Sequence, residues 1–591
     1  MAKAQKRRAA EKTFSLDGET LRIGIKRILC VLLLLCAVIV SARTSWIVST
    51  TLFDSDTSSE LILGEKLARE GGILSTTWYY STELQVIDCQ MVYSLLFHLT
   101  SDWSMVRFWG AVLMQLMMLG AFGFLARQAR IPFNRFCLAG AAMLLPFSVP
   151  YGRIVLYHSY YAFHMILANL TVGLYLGAVR RAGTEKYWKR WQFWLFAGLL
   201  CLVSFCAGLG GVRQLMVCTV PLFAAALLAA MVEEGKKADL RNRLTAAVPA
   251  LATGLGAFAF SGLGYLVNLK AFSGVYSYAD YSSQYTALGD FGQLTDVLRA
   301  MMSTLGFRDQ AQLFSLPGLL GICGFLIWVV TLLLGIHTLR NTEDYSARYL
   351  SLFMLMTQVV MVCVFMLLAM EGFLEGGRMD LYFLPVTFWV IPALAKADLR
   401  PDSGMLPEEG EKKFPEKLFS GDARLSVHGL ISLLVIVMLV ANGLYYTAFF
   451  RDPATYRRDV EYSGLNYNDT ENVASMTPVA EYLMENGYTL VYASYWDAAV
   501  LTELTDGKVK SVPVENGKKK HPIKYQNWMC DMNLRDPEYA AAQKAAIFAN
   551  YDLSSNLGEG NKYGAVELTF FGGNTLFDLP DPAALAKDLA E

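Results

Sequence analysis

"ILCVLLLLCAVIVSARTSWIVSTTLFDSDTSSELILGEKLAREGG" runs from Ile28 to Gly72. Its first half is an apolar run approaching the ~20 residues that cross a bilayer as one helix. Two aspartates, Asp54 and Asp56, then stand where the chain should leave the lipid, in place of the Lys and Arg that often flank a span. The rest of the chain repeats the apolar half of this pattern. Of 591 residues, 54% are hydrophobic, 13% aromatic and only 17% charged. A soluble protein of this size carries more charge. Mean hydropathy is +0.34, and the apolar residues gather in long runs such as the one ending "LLAAMV" at Val232. The fold class that follows is an α-helical polytopic membrane protein. With a net charge of −1, nothing suggests a nucleic-acid partner.

Spans are expected near 28–50, 104–126, 136–150, 160–179, 193–212, 214–232, 244–269, 315–338, 349–371, 381–395 and 427–450, about 11 transmembrane helices. Basic residues gather at the N-terminus, at Arg127/Arg130/Arg135, at Arg180 to Arg190, at Lys236 to Arg243 and between Lys396 and Arg424. These are alternate loops, and the positive-inside rule assigns them to the cytoplasm. The segments left to face outward are about 51–103, the turns near Arg153 and Arg213, 270–314, 372–380 and everything after Arg451. The expected domains are a cytoplasmic basic tail over 1–27 and a transmembrane domain over 28–450. The latter carries an outer acidic loop at 51–103 and a Pro- and charge-rich cytoplasmic linker at 396–426. An extracytoplasmic α/β domain over 451–591 completes the chain. The basic tail lacks a small-residue cleavage site after its apolar segment, so the first span reads as uncleaved. In the C-terminal region, "SMTPVAEYLMENGY" and "WDAAVLTEL" read as helices; "TLVYAS", "KVKSVPV", "AAIFAN" and "GAVELTFF" read as strands. This places the protein in the plasma membrane as a multi-pass protein, N-terminus inside and C-terminal domain outside.

The ten cysteines form no disulfide framework. Most sit inside apolar runs; Cys89 and Cys530 fall outside them and read as two free thiols rather than a bridge. No CxxC, Walker motif or HExxH appears, and no inverted repeat of the kind common in transporters. "NDT" at Asn468 is a glycosylation sequon, meaningful in a secretory host.

After Asp56 the chain reads as an imperfectly amphipathic helix, with Thr57 and Glu60 at capping-box spacing and Gly71-Gly72 as a stop. Leu61, Leu63, Gly64, Leu67 and Ala68 share one arc; Glu65, Lys66, Arg69 and Glu70 share another. Such a helix just outside a span lies along the membrane surface. Capping and the macrodipole account for one aspartate. Two Asp and a Glu within seven residues repel one another, and crowded, partly desolvated carboxylates gather at functional sites. A carboxylate at the membrane surface suits a general base that takes a proton from an attacking hydroxyl or amine. A second one suits orienting that group or holding a divalent cation, for which Asp56 is the candidate ligand. No other cofactor is indicated.

A basic tail, one span, and an Asp-Ser-Asp loop running into a juxtamembrane helix resembles the GT-C superfamily of polytopic glycosyltransferases. The match covers most of the chain in layout and short stretches in residues: "FDSDTSSELILGEKLA", "GGVRQ" at Gly210–Gln214 and "GRMDLYFLP" at Gly377–Pro385, with its Arg-x-x-x-Tyr-x-x-Pro spacing. "YASYWDAAVLTEL" in the C-terminal region resembles a segment of bacterial relatives. The resemblance implies an inverting transferase with a polyprenyl-phosphate sugar as donor and a cell-envelope glycan, lipid or protein as acceptor, working among membrane lipids. It implies a catalytic carboxylate at Asp54 or Asp56, with Asp54 favoured as the one nearer the span. Cations for the donor phosphate fit Arg213 and Arg378, because Arg bonds phosphate oxygens bidentately. Against this stands an interfacial Arg that snorkels or pairs with Asp380. Glu83, Arg153, His158 and Tyr382 are further substrate-binding candidates. "YGRIVLYHSYYAFH" at 151–164 and "TTWYYSTEL" at 76–84 read equally as interfacial aromatic belts. Two rivals stand beside the transferase. A transporter or lipid flippase predicts paired charges near the midplane of the spans, which are scarce. A scaffold presenting the C-terminal domain needs fewer spans than these.

Overall fold

The computed structural model describes residues 18–81, 84–182, 189–232, 240–278, 285–287, 294–307, 312–342, 344–370, 379–397, 427–452, 469–518, 521–549, 563–571 and 573–590. Glu83, Arg378 and Asn468 lie outside the described residues, as do most of the basic tail and of the linker. Tyr382 belongs to the helix Met379–Phe388, and its side chain also lies outside the description.

The helices used below are α1 (Gly18–Thr51), α2 (Ser55–Glu70), α3 (Cys89–Phe97), α4 (Trp103–Ala129), α5 (Ala162–Ala182), α6 (Trp191–Leu209), α7 (Leu240–Val267), α8 (Leu316–Asn341), α9 (Tyr345–Leu367), α10 (Val427–Arg451), α11 (Asp469–Glu485), α12 (Tyr495–Leu504) and α13 (Pro582–Ala590). Eight of these, α1 and α4 to α10, are long and apolar enough to cross a membrane. The chain is a multi-pass membrane protein.

The other three of the eleven expected spans differ for local reasons. The segment 136–150 is broken: Phe133–Leu144 and Val149–Tyr157 meet at 88°, and a ninth span results only if the bent pair is counted as one. Pro146 lies in the break, and Ser148 recaps the second piece by accepting from the Tyr151 N–H at 3.3 Å. The segments 214–232 and 381–395 fold as the shorter apolar helices Leu215–Met231 and Phe383–Lys396. The first of these opens with a π-turn over Leu215–Thr219.

Helix contacts in the bundle depend on small residues. A Cβ added at Gly208 of α6 would strike the Ser261 carbonyl of α7, and one at Gly264 would strike the Phe205 carbonyl. With lipid on the outside there is no hydrophobic gain in helix association, so close backbone approach supplies the attraction.

The C-terminal region is a six-stranded mixed sheet flanked by α11, α12 and α13. Its strands are β3 (Leu490–Ala493), β4 (Lys510–Lys518), β5 (His521–Tyr525), β7 (Ala545–Ala549), β8 (Val566–Phe571) and β9 (Asn574–Leu579), in the order β8-β9-β7-β3-β4-β5. β3 runs parallel to β4 and β7, and the remaining pairs are antiparallel. β3 and β7 are buried at every position, as central strands covered on both faces should be. A second, three-stranded sheet joins distant parts of the chain. Within it β1 (Trp78–Tyr80) pairs in parallel with β2 (Ser277–Tyr278) and antiparallel with β6 (Cys530–Asp531).

α2 is held between the bundle and this C-terminal layer. Its apolar face packs on α3 and α4, where Tyr93 occupies a slot between two glycines. A Cβ at Gly64 would lie 2.6 Å from the Tyr93 Cβ, and one at Gly110 would collide with the Tyr93 ring. Its polar face is covered at Lys66 and exposed at Arg69 and Glu70. Lys66 is 2% exposed and binds Asp531 and Glu70, each at 2.9 Å. Phe53 enters the C-terminal apolar cluster beside Val473, Met476 and Val500. Burying a ring of that size contributes about 1.5–3 kcal/mol.

Candidate active site at the membrane end of the C-terminal domain

α1 ends at Thr51, and the backbone turns to extended geometry at Asp54 before α2 begins. Asp54 is the N-cap. Its Oδ1 accepts from the Thr57 N–H and the Thr57 hydroxyl, each at 2.9 Å, and the Thr57 Oγ1 accepts from the Asp54 N–H at 3.1 Å. The capping box is therefore Asp54–Thr57, one turn before the Thr57–Glu60 pair expected from sequence. Helix formation starts there because the Asp54 side chain reaches two donors at once.

The other oxygen of Asp54 is ion-paired with Arg153. Arg153 lies in the π-turn Gly152–Tyr157 and His158 caps its C-terminal end, donating its N–H to the Arg153 carbonyl, which brings both toward residues 52–54. Gly152 is required there, since a Cβ would overlap Phe450 and Pro146. The His158 Nε2 lies 3.0 Å from the Leu52 carbonyl oxygen, which only accepts, so the proton is on Nε2. The Nδ1 lone pair is buried and makes no hydrogen bond. Burial drives His158 down to about 3, against the pull of Asp54. For Asp54, burial favours the neutral acid, but Arg153, His158 and the bonds from Thr57 outweigh it and hold the carboxyl well below the usual carboxylate range.

Asp56 is tied to the C-terminal domain instead: its Oδ1 accepts from the Tyr495 hydroxyl at 2.5 Å. Beside it, Arg107 of α4 makes a bidentate pair with Glu503 of α12, its Nε at 2.6 Å from Oε1, and Ser58 donates to the same carboxylate at 2.6 Å. Arg107 is 1% exposed and its guanidinium lies over Phe53. Arg213 stacks on Tyr161, centroid 4.8 Å away, and Tyr161 meets Tyr160 and His164. Gln214 donates to the His164 Nδ1 at 2.9 Å. Asp54, Asp56, Arg153, His158 and Arg213 thus belong to one connected group of aromatic and charged side chains, with Tyr160 between the aspartates and Tyr161.

Glu60 stands one turn beyond Asp56. Burial, with Asp88 and Asp56 nearby, pushes its carboxyl up to about 8. It lines a small cavity with room for about one water. A larger cleft lies between α2 and the C-terminal domain, against Tyr495, Lys510 and Asp531; Trp78 and Met529 border both. All ten cysteines are free thiols, Cys89 and Cys530 among them. Among the described residues no group of three or more His, Cys, Asp or Glu is placed to hold a metal ion.

Sequence reasoning missed Arg107, Tyr495, Glu503 and Gln90, placed Lys66 only on the charged arc of its helix, and used Glu60 as a cap and as the third of three crowded carboxylates. A usable signal was the charge of Arg107 four residues into an apolar helix, which a bilayer does not tolerate without a partner.

No family model matches the chain, and no curated protein matches it either. Solved structures do. Over 93% of this chain and 98% of the other, it is similar to the crystal structure of ArnT from Cupriavidus metallidurans in the apo state, at 12% identity and a TM-score of 0.47. With the same protein bound to undecaprenyl phosphate the values are 92% and 97%, 13% and 0.46. A third is the cryo-EM structure of the arabinofuranosyltransferase AftD from mycobacteria, at 11% identity and a TM-score of 0.38, over 92% of this chain and 40% of that one. At this degree of overlap the similarity carries no residue-by-residue correspondence.

Proposed function

We propose that this protein is an inverting glycosyltransferase of the plasma membrane that moves a sugar from a polyprenyl-phosphate donor to an extracytoplasmic acceptor. That acceptor is a cell-envelope glycan, lipid or protein. The N-terminus is cytoplasmic, and residues 451–591 form the outer domain. The observation that carries the reading is the pairing of Asp54 with Arg153 directly after the first span, under a C-terminal domain that also binds Asp56. The Asp-Ser-Asp loop and its resemblance to GT-C enzymes support it.

In this reading the acceptor hydroxyl attacks the anomeric carbon as the bond from that carbon to the phosphate oxygen breaks. The electron pair leaves with the polyprenyl phosphate, and the hydroxyl proton passes to Asp54. At rest Asp54 is a weak base, because Arg153 and Thr57 stabilise its anion. A donor phosphate competes for the Arg153 guanidinium, which bonds phosphate oxygens as well as it bonds carboxylate. Withdrawal of Arg153 returns basicity to Asp54, so donor arrival and base activation become one event. Arg213 is the second cation for the leaving phosphate, and Arg378 is a further candidate from the sequence. Asp56 orients the acceptor or binds a divalent cation. Glu83, His158 and Tyr382 remain candidates for contacts to substrate.

The test is transfer from a radiolabelled polyprenyl-phosphate sugar by the full chain in nanodiscs, beside Asp54→Asn and Asp56→Asn. Asn at 54 keeps the cap but leaves Arg153 without its anion, so both variants are compared with wild type by melting before transfer is read. The loss expected for a missing base is about 10²–10⁴-fold. Undiminished transfer by both variants overturns the assignment. Movement of intact lipid-linked sugar across the bilayer, with no bond broken, would favour a flippase instead.

A further inference from the structure

Five arginines gather at the ends of the spans on the side away from the C-terminal domain. α4 starts at that domain, where Arg107 meets Glu503, and its 27 residues rise about 40 Å to Ala129. Arg127 and Arg130 stand at this far end, with Arg180 and Arg181 in the last turn of α5 and Arg190 just before α6. Two of the guanidinium groups are locked in place. Gln128 is 4% exposed, and its Oε1 accepts from Arg180 at 3.0 Å and from Arg181 at 3.3 Å. Because both reach one oxygen, the two groups are held side by side. Arg181 also donates to the Gly177 carbonyl at 2.9 Å and lies over the Phe196 ring of α6, 3.7 Å from its centroid. Arg190 donates to the Arg181 carbonyl at 3.2 Å. Arg127 and Arg130 are near enough to Arg180 to repel it.

These partners are all neutral. Among the described residues, none of the five arginines has a carboxylate within ion-pair distance. The same rim pairs a cation where it holds an acid: Lys396 binds Asp344 at 2.7 Å, and its Nζ also reaches the Arg130 carbonyl. The C-terminal dipoles of α4 and α5 offset about half a charge each, which leaves about four positive charges uncompensated. Water satisfies arginines that fan apart, but here a buried amide and a ring hold two of them together against their repulsion. The neighbouring rings fix the depth. Phe133, Trp191 and Trp194 are largely exposed beside the cluster, and interfacial tryptophans sit at the level of lipid headgroups. They offer acyl chains an apolar surface next to the cations. Guanidinium forks match phosphate oxygens, and basic pockets between spans suit lipid headgroups. A soluble anion would match the cations and gain nothing from the rings.

We propose that the far ends of α4 and α5, with the start of α6, form a binding site for the phosphate headgroup of an anionic phospholipid in the leaflet opposite the C-terminal domain. The site rests on the multi-pass fold alone and is independent of the transferase reading. Its test is native mass spectrometry of the full chain in detergent micelles. The probes are cardiolipin, phosphatidylglycerol and phosphatidylcholine, with inorganic pyrophosphate as a soluble competitor. Cardiolipin is expected to bind at least about tenfold more tightly than phosphatidylcholine. Arg127→Gln combined with Arg130→Asn removes two charges without breaking a side-chain hydrogen bond among the described residues, and Asn tolerates the left-handed backbone at 130 (φ 56°). Cardiolipin binding should weaken about 30-fold in this variant. Lys508→Gln combined with Lys524→Gln removes the same charge from the exposed surface of the C-terminal domain and should leave binding unchanged. Should the arginine variant fail to fold, Arg180→Gln combined with Arg181→Gln replaces it, with the same expected loss. Equal affinity for cardiolipin and phosphatidylcholine overturns the site, as does equal binding by wild type and the arginine variant. An equal loss in the lysine variant would show bulk charge instead of a site and overturns it too. Displacement of the lipid by pyrophosphate at equal concentration reassigns the cluster to a soluble phosphate compound, and the lipid assignment falls.

Discussion

Replacing Glu60 by Gln tests the electrostatics of the junction without changing its shape. The carboxyl is pushed from an ordinary 4.5 to about 8 in the fold. The groups that face it are Asp56 on its own helix, Asp88 and Cys89 at the start of α3, Tyr80 on β1 and Tyr93 further along α3. A raised acid binds its proton more tightly folded than unfolded, so stability is complete below about pH 4.5 and falls as pH rises toward 8. The window is 8 minus 4.5, or 3.5 pH units, and 1.36 kcal/mol per unit gives a ceiling of about 5 kcal/mol. Glu60 is half-buried rather than sealed, and water screening brings the expected effect to about 1–3 kcal/mol. Gln does not titrate. The variant should melt with wild type at pH 5 and several degrees above it at pH 9, by scanning fluorimetry in nanodiscs. Curves separated by a constant offset from pH 5 to 9 would show that Glu60 is ionised throughout, and the reasoning would fail.

Three other outcomes follow from the junction. Glu503→Gln breaks the bidentate pair and strands Arg107 between α4 and α12, a loss of about 3–5 kcal/mol; hydrogen exchange along α12 should accelerate, and protection within 1 kcal/mol of wild type would refute the coupling. Tyr495→Phe removes one hydrogen bond to an ionised oxygen, about 1.5–3 kcal/mol. Transfer should fall with it if Asp56 orients the acceptor, and unchanged transfer would relieve Asp56 of that role. Gly64→Ala overpacks Tyr93 by about 1–3 kcal/mol, measured by melting, and Tyr93→Leu should restore part of it; equal losses in the single and double variants would place the strain elsewhere.

Periodicity and punctuation made the local parts of this molecule legible. Apolar runs marked the spans because a bilayer imposes a length. The start of α2 was readable to within one turn, at Thr57 where the cap is Asp54, because capping is decided locally. The strands "TLVYAS" and "AAIFAN" showed themselves as short apolar runs bounded by turns, and they lie side by side at the centre of the sheet. What stayed hidden has one physical cause, which is distance along the chain. Arg107 finds Glu503 396 positions away, Lys66 finds Asp531 465 away, and Ser58 finds Glu503 445 away. No periodicity encodes such pairs. Their effect is to change what amphipathicity predicts for α2, where Lys66 is buried under a domain while Arg69 and Glu70, on the same arc, stay exposed. The broken segment at Pro146 shows the same limit in miniature. Composition marks it as a span, yet the break is what turns Arg153 and His158 back toward Asp54. A continuous helix through 136–157 would keep its hydropathy and lose that pairing, so here the departure from the simple pattern is the feature that builds the candidate site.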